Sequence, residues 1–200
     1  MMLRLIRFSV FAFLCLALLG ARSAASAPAP KWGLEDLMQS LAQVKSSKAR
    51  FVERKFLRIL NEPLESRGTL SYSAPGHLEK HTLTPKPDSL VLEQDRLTFE
   101  DKVRKQRRTL ALQEYPVVWA FVESIRSTLA GDLQSLNRFY EVRFEGDQRE
   151  WHLLLKPRDG KMQTLVNQIR ITGYGQSLRV IEVMETGGDR SEMTIIEDGR

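Results

Sequence analysis

Residues 68–99 read GTLSYSAPGHLEKHTLTPKPDSLVLEQDRLTF. Apolar side chains recur at every second position in it: Leu70 and Tyr72, then Leu90 and Leu92, then Leu97 and Phe99, with Leu78 between. A period of two marks an extended chain, because successive side chains of a strand point to opposite faces. The runs are broken by Ala74-Pro75-Gly76, Pro85-Lys86-Pro87 and Glu93-Gln94-Asp95, which are turn-forming clusters. Short alternating runs joined by tight turns predict antiparallel hairpins rather than βαβ units.

The same texture extends on both sides. Strand-like runs lie near 51–60, led by Phe51, and near 66–73, 78–84, 88–92, 96–99 and 103–112. After an interruption they resume near 139–145, 149–156, 164–172, 177–185 and 191–197, with turns at Gly146-Asp147, Arg158-Asp159-Gly160, Gly173-Tyr174-Gly175 and Gly187-Gly188-Asp189. Trp151, Leu153 and Leu155 alternate in the same way. The total is about eleven strands, the spacing of a sandwich or barrel. An antiparallel sheet of that extent must curl to hide its apolar face.

Two helices punctuate the strands. Leu34, Leu37, Met38, Leu41 and Val44 recur at helical spacing, with Glu35 and Asp36 in the first turn and Lys45-Ser46-Ser47-Lys48 as the stop. Pro116 opens a second helix, Val117 to Ala130, whose apolar stripe is Val118, Phe121, Val122, Ile125 and Leu129. Gly131 is placed to end it, and Asp132 to cap a further short turn through Leu136.

The first 27 residues read as a signal peptide. Arg4 and Arg7 precede an apolar run, Phe8 to Gly20, that is short for a bilayer span and ends in small residues. Cys15 is the one cysteine and lies within that run, so the domain expected over 28–200 has no thiol for disulfides, zinc or nucleophilic chemistry. Ala12-Phe13-Leu14 before Cys15 does not suit lipid attachment. The formal charge of +5 falls to about +2 once Arg4, Arg7 and Arg22 leave with the leader. Such a balance does not call for nucleic acid, which also suits an exported protein poorly.

Catalytic patterns are missing. His77 and His81 stand four apart in or beside a strand, where that spacing gives no shared focus for a metal, and His152 is remote. No serine sits in a nucleophile elbow, and Gly173-Tyr174-Gly175 joins two strands rather than opening a helix on a phosphate. Lys102, Arg104, Lys105, Arg107 and Arg108 form the strongest charge cluster. It reads first as a solvated hairpin tip and edge strand, and alternatively as a patch for anionic head groups or an acidic protein. The expectation is therefore a protein that is not an enzyme and needs no cofactor or metal.

Gly68-Thr-Leu-Ser-Tyr-Ser-Ala-Pro75, with Leu78, Pro85 and the hairpin Leu90-Val-Leu-Glu-Gln-Asp-Arg-Leu-Thr-Phe99, resembles the LolA-type outer-membrane lipoprotein carriers. The early helix, the strand opening Phe51-Val-Glu and the helical interruption at Pro116 match as well. The resemblance implies a mainly β (α+β) fold, an incomplete antiparallel β-barrel closed by a helical lid over a hydrophobic cavity. By that resemblance Leu70, Tyr72 and Leu78 would face the cavity, and Val117, Val118 and Phe121 would belong to the lid. With the alternating positions, the expected ligand-binding set is Phe51, Leu70, Tyr72, Leu78, Leu90, Leu92, Leu97, Phe99, Val117, Val118, Phe121 and Ile125.

The implied function is a periplasmic, monomeric carrier that takes acyl chains of a lipoprotein or glycolipid from an inner-membrane exporter toward an outer-membrane acceptor. The alternative is a lipid-sensing envelope-stress or interaction module acting through a protein partner. The chain departs from the family at three places. Ala74 stands where an arginine often latches barrel to lid, and Lys80 and Gln94 stand where an aromatic residue and a glycine are common. These departures suggest a divergent carrier, whose cargo could extend to an acylated pigment. Without the arginine, the lid is expected to be held by apolar contacts of Phe121, Ile125 and their neighbours.

Overall fold

The computed structural model describes residues 32–197; the expected signal peptide and its expected boundary at 27 lie outside the described residues. Helix α1 (Leu34–Leu41) is followed by β1 (Ser46–Phe56), β2 (Leu64–Ser73), β3 (His77–Thr84), β4 (Asp88–Glu93), β5 (Arg96–Asp101) and β6 (Gln106–Ala111). A short turn of helix leads to α2 (Pro116–Ala130) and α3 (Leu133–Phe139). The chain ends with β7 (Tyr140–Gly146), β8 (Trp151–Pro157), α4 (Gly160–Gln163), β9 (Val166–Tyr174), β10 (Ser177–Glu185) and β11 (Arg190–Glu197).

All eleven strands form one sheet in the order β6-β5-β4-β3-β2-β1-β11-β10-β9-β8-β7. Each neighbouring pair is antiparallel. The edges β6 and β7 do not pair, so the sheet stays open: it is the incomplete barrel with a helical cover expected from the sequence.

Several boundaries differ from expectation; β1 ends at Phe56 rather than near 60, where the chain turns toward β2. β1 begins at Ser46, inside the polar stretch that reads as the end of a helix. α1 stops at Leu41, and Lys45 spends its ammonium on the Ala42 carbonyl, 2.8 Å away. The strand starts early because β2 runs long enough to pair with it, Ser46 opposite Ser73. β6 begins at Gln106 rather than near 103, because the Asp101 carboxylate accepts from the Val103 and Arg104 amides, both at 2.9 Å, and folds Lys102–Lys105 into a turn.

The helices sit as their ends dictate. Pro116 opens α2, and Gly131 ends it with φ +66°, the left-handed conformation that glycine adopts without strain. Asp132 caps α3 by accepting from the Ser135 amide at 2.9 Å.

The core lies over β7–β9. Leu37, Met38 and Leu41 of α1, Leu136 of α3 and Met162 of α4 pack on Trp151, Leu153, Leu155, Ile169 and Ile171. Trp151 is fully buried, and its indole lies where a Cβ on Gly173 would stand, 2.0 Å from the ring. The indole N–H donates to the Gly175 carbonyl at 2.8 Å. Tyr140 is likewise sealed in, donating to the Ala120 carbonyl of α2 at 2.8 Å, and burial pushes its hydroxyl pKa far up.

Candidate functional site

Over the other half of the sheet no helix fills the concave face. A cavity of about 1170 Å³ lies there, between β1–β5 on one side, β10 and β11 on another, and α2 above. Ladder pairing fixes which side chains share its wall: Ala49 faces Leu70, Leu70 faces Lys80, and Lys80 faces Leu90 in one row. Tyr72, Leu78, Leu92 and Leu97 form the next row. The far wall is Leu178, Ile181, Val183, Met193 and Ile195.

Of the residues expected from the sequence, Leu70, Tyr72, Leu78, Leu90, Leu92, Leu97, Phe121 and Ile125 line this cavity. The other four do not. Phe51 is on the concave face but is buried beneath Lys80, whose ammonium lies 4.9 Å from the ring centre. Phe99 stands past the cavity, partly exposed beside Asp101, Arg104 and Arg108. Val117 and Val118 sit in the first turn of α2, and Val117 packs on the core instead.

Sequence reasoning missed Val122 and Leu129 of the lid, and all of the β10 and β11 wall. The signal for the wall was present, since 177–185 and 191–197 read as strands, but pairing of the last strand with β1 is what carries them round to the cavity.

The lid helix is built against the usual rule. Its most buried residues are Ala120, Glu123, Ser124, Ser127 and Thr128, while Phe121, Val122, Ile125 and Leu129 are only partly covered and face the cavity. The polar stripe tolerates burial because its groups are satisfied. Trp119 Nε1 and Ser127 Oγ donate to the Glu123 carboxylate at 3.0 and 2.8 Å, and Arg126 also donates to it. The Ser124 and Thr128 hydroxyls bond to helix carbonyls at 2.6 Å each. The small side chains let α1 and α3 approach.

Lid and barrel are also tied by a polar contact, which corrects the expectation of a purely apolar hold. Arg126 of α2 donates to the Gln94 carbonyl at 3.0 Å and stands 3.9 Å from the Asp95 carboxylate. Its stem lies over the β2–β3 turn, where a Cβ on Gly76 would come within 2.8 Å of Arg126 Cδ. Gln94 holds φ at +54°, which is the backbone reason a glycine suits that place. The arginine is thus on the lid and its acceptors are on the barrel hairpin.

Polar groups interrupt the apolar wall. Lys80 Nζ lies 2.6 Å from Glu53 Oε2, both largely buried, with Ser66 Oγ 3.4 Å from the same oxygen. The Tyr72 hydroxyl is buried and has no hydrogen-bond partner among the described residues, and burial pushes its pKa up. His77 and His81 both reach Glu79, which lies between them on the same face of β3. Their Nε2 atoms lie 2.8 and 2.9 Å from opposite oxygens of Glu79. Hydrogen bonds from His81 and then His77 hold the Glu79 carboxyl below the usual range. Among the described residues, no group of three or more histidines, cysteines and carboxylates is placed to hold a metal ion, and no helix is long and apolar enough to cross a membrane.

Residues 24–197 match the model of a family described as outer membrane lipoprotein carrier protein LolA-like. A search of curated proteins finds no match. Solved structures of similar shape include a LolA superfamily protein from Nitrosomonas europaea, at 10% identity and TM-score 0.41, covering 82% of this chain and 92% of that one. An outer-membrane lipoprotein-sorting protein domain from Vibrio parahaemolyticus is 10% identical with TM-score 0.43, over 82% and 89%. The MucA/MucB complex of Pseudomonas aeruginosa aligns at 16% identity and TM-score 0.46, over 82% of this chain and 56% of that one. These likenesses are loose, and membership rests on the family match.

Proposed function

The chain belongs to the LolA-like family of outer-membrane lipoprotein carriers, and from that premise we propose that it is a periplasmic carrier which holds acyl chains of a lipoprotein or glycolipid under α2 and releases them to an acceptor. It carries its ligand without converting it, takes it from an inner-membrane exporter and acts as a monomer. The observation that supports this reading is the lid helix. A stripe of Phe121, Val122, Ile125 and Leu129 turned toward a cavity and only partly covered by the fold is apolar surface that an apolar ligand would remove from water. Hydrocarbon suits such a lining, and the volume of about 1170 Å³ lies just above the range of small-molecule sites, ~300–1,000 Å³.

Release follows from the same geometry. Opening must break the bonds from Arg126 to Gln94 and Asp95, which hold the lid to the hairpin tip. A ligand that fills the cavity competes with closure, so loading and unlatching are linked through the two states of α2.

Native mass spectrometry of the protein purified from the cells that make it is expected to show a co-purifying acylated species. Leu78→Glu is expected to abolish that adduct and the binding of a fluorescent fatty acid, because a carboxylate against hydrocarbon is either desolvated at high cost or protonated. Full occupancy in the folded variant would refute the cavity as the binding site.

A further inference from the structure

The turns β1–β2, β3–β4, β5–β6 and β10–β11 lie at one end of the sheet, as the antiparallel ladders require. This end is away from the Arg126 latch, which engages the opposite turns. Six of the eleven large apolar side chains that stand exposed among the described residues are here: Ile59, Leu60, Leu64, Leu83, Val103 and Leu165. Ile59 is 90% exposed and Val103 63%, so neither is packed against its own fold. Leu165 joins the group because its carbonyl accepts from the Thr186 amide in the β10–β11 turn at 3.0 Å.

Cations are interleaved with these side chains. Lys86 sits in the β3–β4 turn, Lys102, Arg104 and Lys105 in the β5–β6 turn, and Arg58 in the β1–β2 turn; all are exposed. The Lys102 amide donates to the Pro87 carbonyl at 3.2 Å, which holds two of these turns side by side. Acids share this end, with Glu62 exposed in the β1–β2 turn and Asp88 and Glu185 at the adjoining strand ends, but the turns themselves hold more cations than acids. Asp189 accepts from the Arg58 amide at 2.8 Å, and Asp101 is spent on the amides of its own turn.

We propose that this rim docks on an anionic lipid surface, with Val103, Leu83 and Ile59 entering the interface and the lysines and arginines meeting head-group phosphates. The apolar side chains are spread over several neighbouring turns, Ile59 and Leu60 on one, Leu83 beside the next and Val103 on a third, with cations between them. That pattern suits a boundary that is apolar below and anionic above, whereas a protein partner would be met by one contiguous patch. The charge supplies attraction and the apolar tips supply burial, the two contributions that interfacial binding combines. β3, β4 and β5, whose turns form this rim, carry Lys80 and Leu90 of the cavity wall midway along their length and Leu78, Leu92 and Leu97 at their opposite ends.

Flotation with vesicles tests this. The purified protein is expected to float with vesicles containing phosphatidylglycerol, and far less with phosphatidylcholine alone, with binding that weakens as salt rises. Lys102→Gln, Arg104→Gln and Lys105→Gln together are expected to lower the partition coefficient on the order of a hundredfold. Leu83→Ser with Val103→Ser is expected to lower it about tenfold while leaving the salt dependence in place. Each variant should take up a fluorescent fatty acid in vesicle-free solution at the parental level, so a failure of docking is separable from a failure of the carrier reading. Equal flotation with both vesicle types, no flotation with either, or a triple variant that floats like the parent would overturn the proposal. So would binding only to an acidic protein, or loss of fatty-acid uptake in the same variants, which would put these residues in the cavity.

Discussion

β7–β9 and β2–β5 are made of the same material: short antiparallel strands with alternating apolar residues. One set is packed solid and the other is hollow. The difference lies in what faces each. Against Trp151, Leu153, Leu155, Ile169 and Ile171 stand the fully buried leucines of α1 and α3 and Met162 of α4. Against Leu70, Leu78, Leu90 and Leu97 stand the half-covered stripe of α2 and, across the cavity, the β10 and β11 wall. Strand pattern alone therefore says that a face is apolar, and the helices decide whether it is core or container. The α2 helix serves both halves at once. It sends its small and polar residues into the filled half and its large apolar ones toward the hollow.

The sharpest way to break this comparison is to delete matched side chains. Trp151→Ala in the filled half is expected to cost about 3–5 kcal/mol, measured by urea unfolding, because it removes a ring sealed on every side. Leu78→Ala in the hollow half is expected to cost about 1 kcal/mol or less, since its side chain already borders a void and the cavity term is largely absent. Equal losses would mean that the hollow half is as tightly packed as the other.

Arg126 sharpens the comparison at the seam. Arg126→Ala leaves the buried Glu123 carboxylate with Trp119 and Ser127 alone, and frees the lid from Gln94. The expected cost is about 2 kcal/mol, below that of a fully buried pair because the Arg126 side chain is 23% exposed. Stopped-flow uptake of a fluorescent fatty acid should become several-fold faster at the same time. A variant that is less stable but loads at the parental rate would show that the arginine braces α2 without latching it.

Much of this was legible beforehand. The eleven strands and the helix bounded by Pro116 and Gly131 follow from alternation, spacing and two residues with fixed backbone preferences, and the open barrel follows from the resemblance to the LolA-type carriers. Eight cavity residues follow from the period of two in 68–99 together with the lid stripe. What could not be read is contact across the sheet. Phe51 has the right period and the right face, yet Lys80 from two strands away lies over it. The early start of β1 is set by its partner β2, and Ser46-Ser47-Lys48 carries no strand signal of its own. The latch is the clearest case. Ala74 signals correctly that the barrel offers no arginine there, but nothing local in α2 says that Arg126 reaches a carbonyl 32 residues away in sequence.

The two buried tyrosines give the finest form of the test. Tyr140 in the filled half donates to the Ala120 carbonyl at 2.8 Å and touches Met162 Sδ at 3.6 Å. Tyr72 in the hollow half is 3% exposed, but its hydroxyl has no partner among the described residues. A hydrogen bond contributes ~0.5–1.5 kcal/mol net, and an unsatisfied buried polar group costs ~1–3 kcal/mol. Removing each hydroxyl with phenylalanine should thus act in opposite directions. Tyr140→Phe is expected to destabilise by about 1 kcal/mol in chemical denaturation, and Tyr72→Phe to be neutral or to stabilise by a few tenths of that. The sign for Tyr72 carries the information. A loss as large as that of Tyr140→Phe would show that its hydroxyl is satisfied in the folded protein. The hollow half would then be as completely paired as the filled one, and its wall would be finished core rather than a surface kept for a ligand.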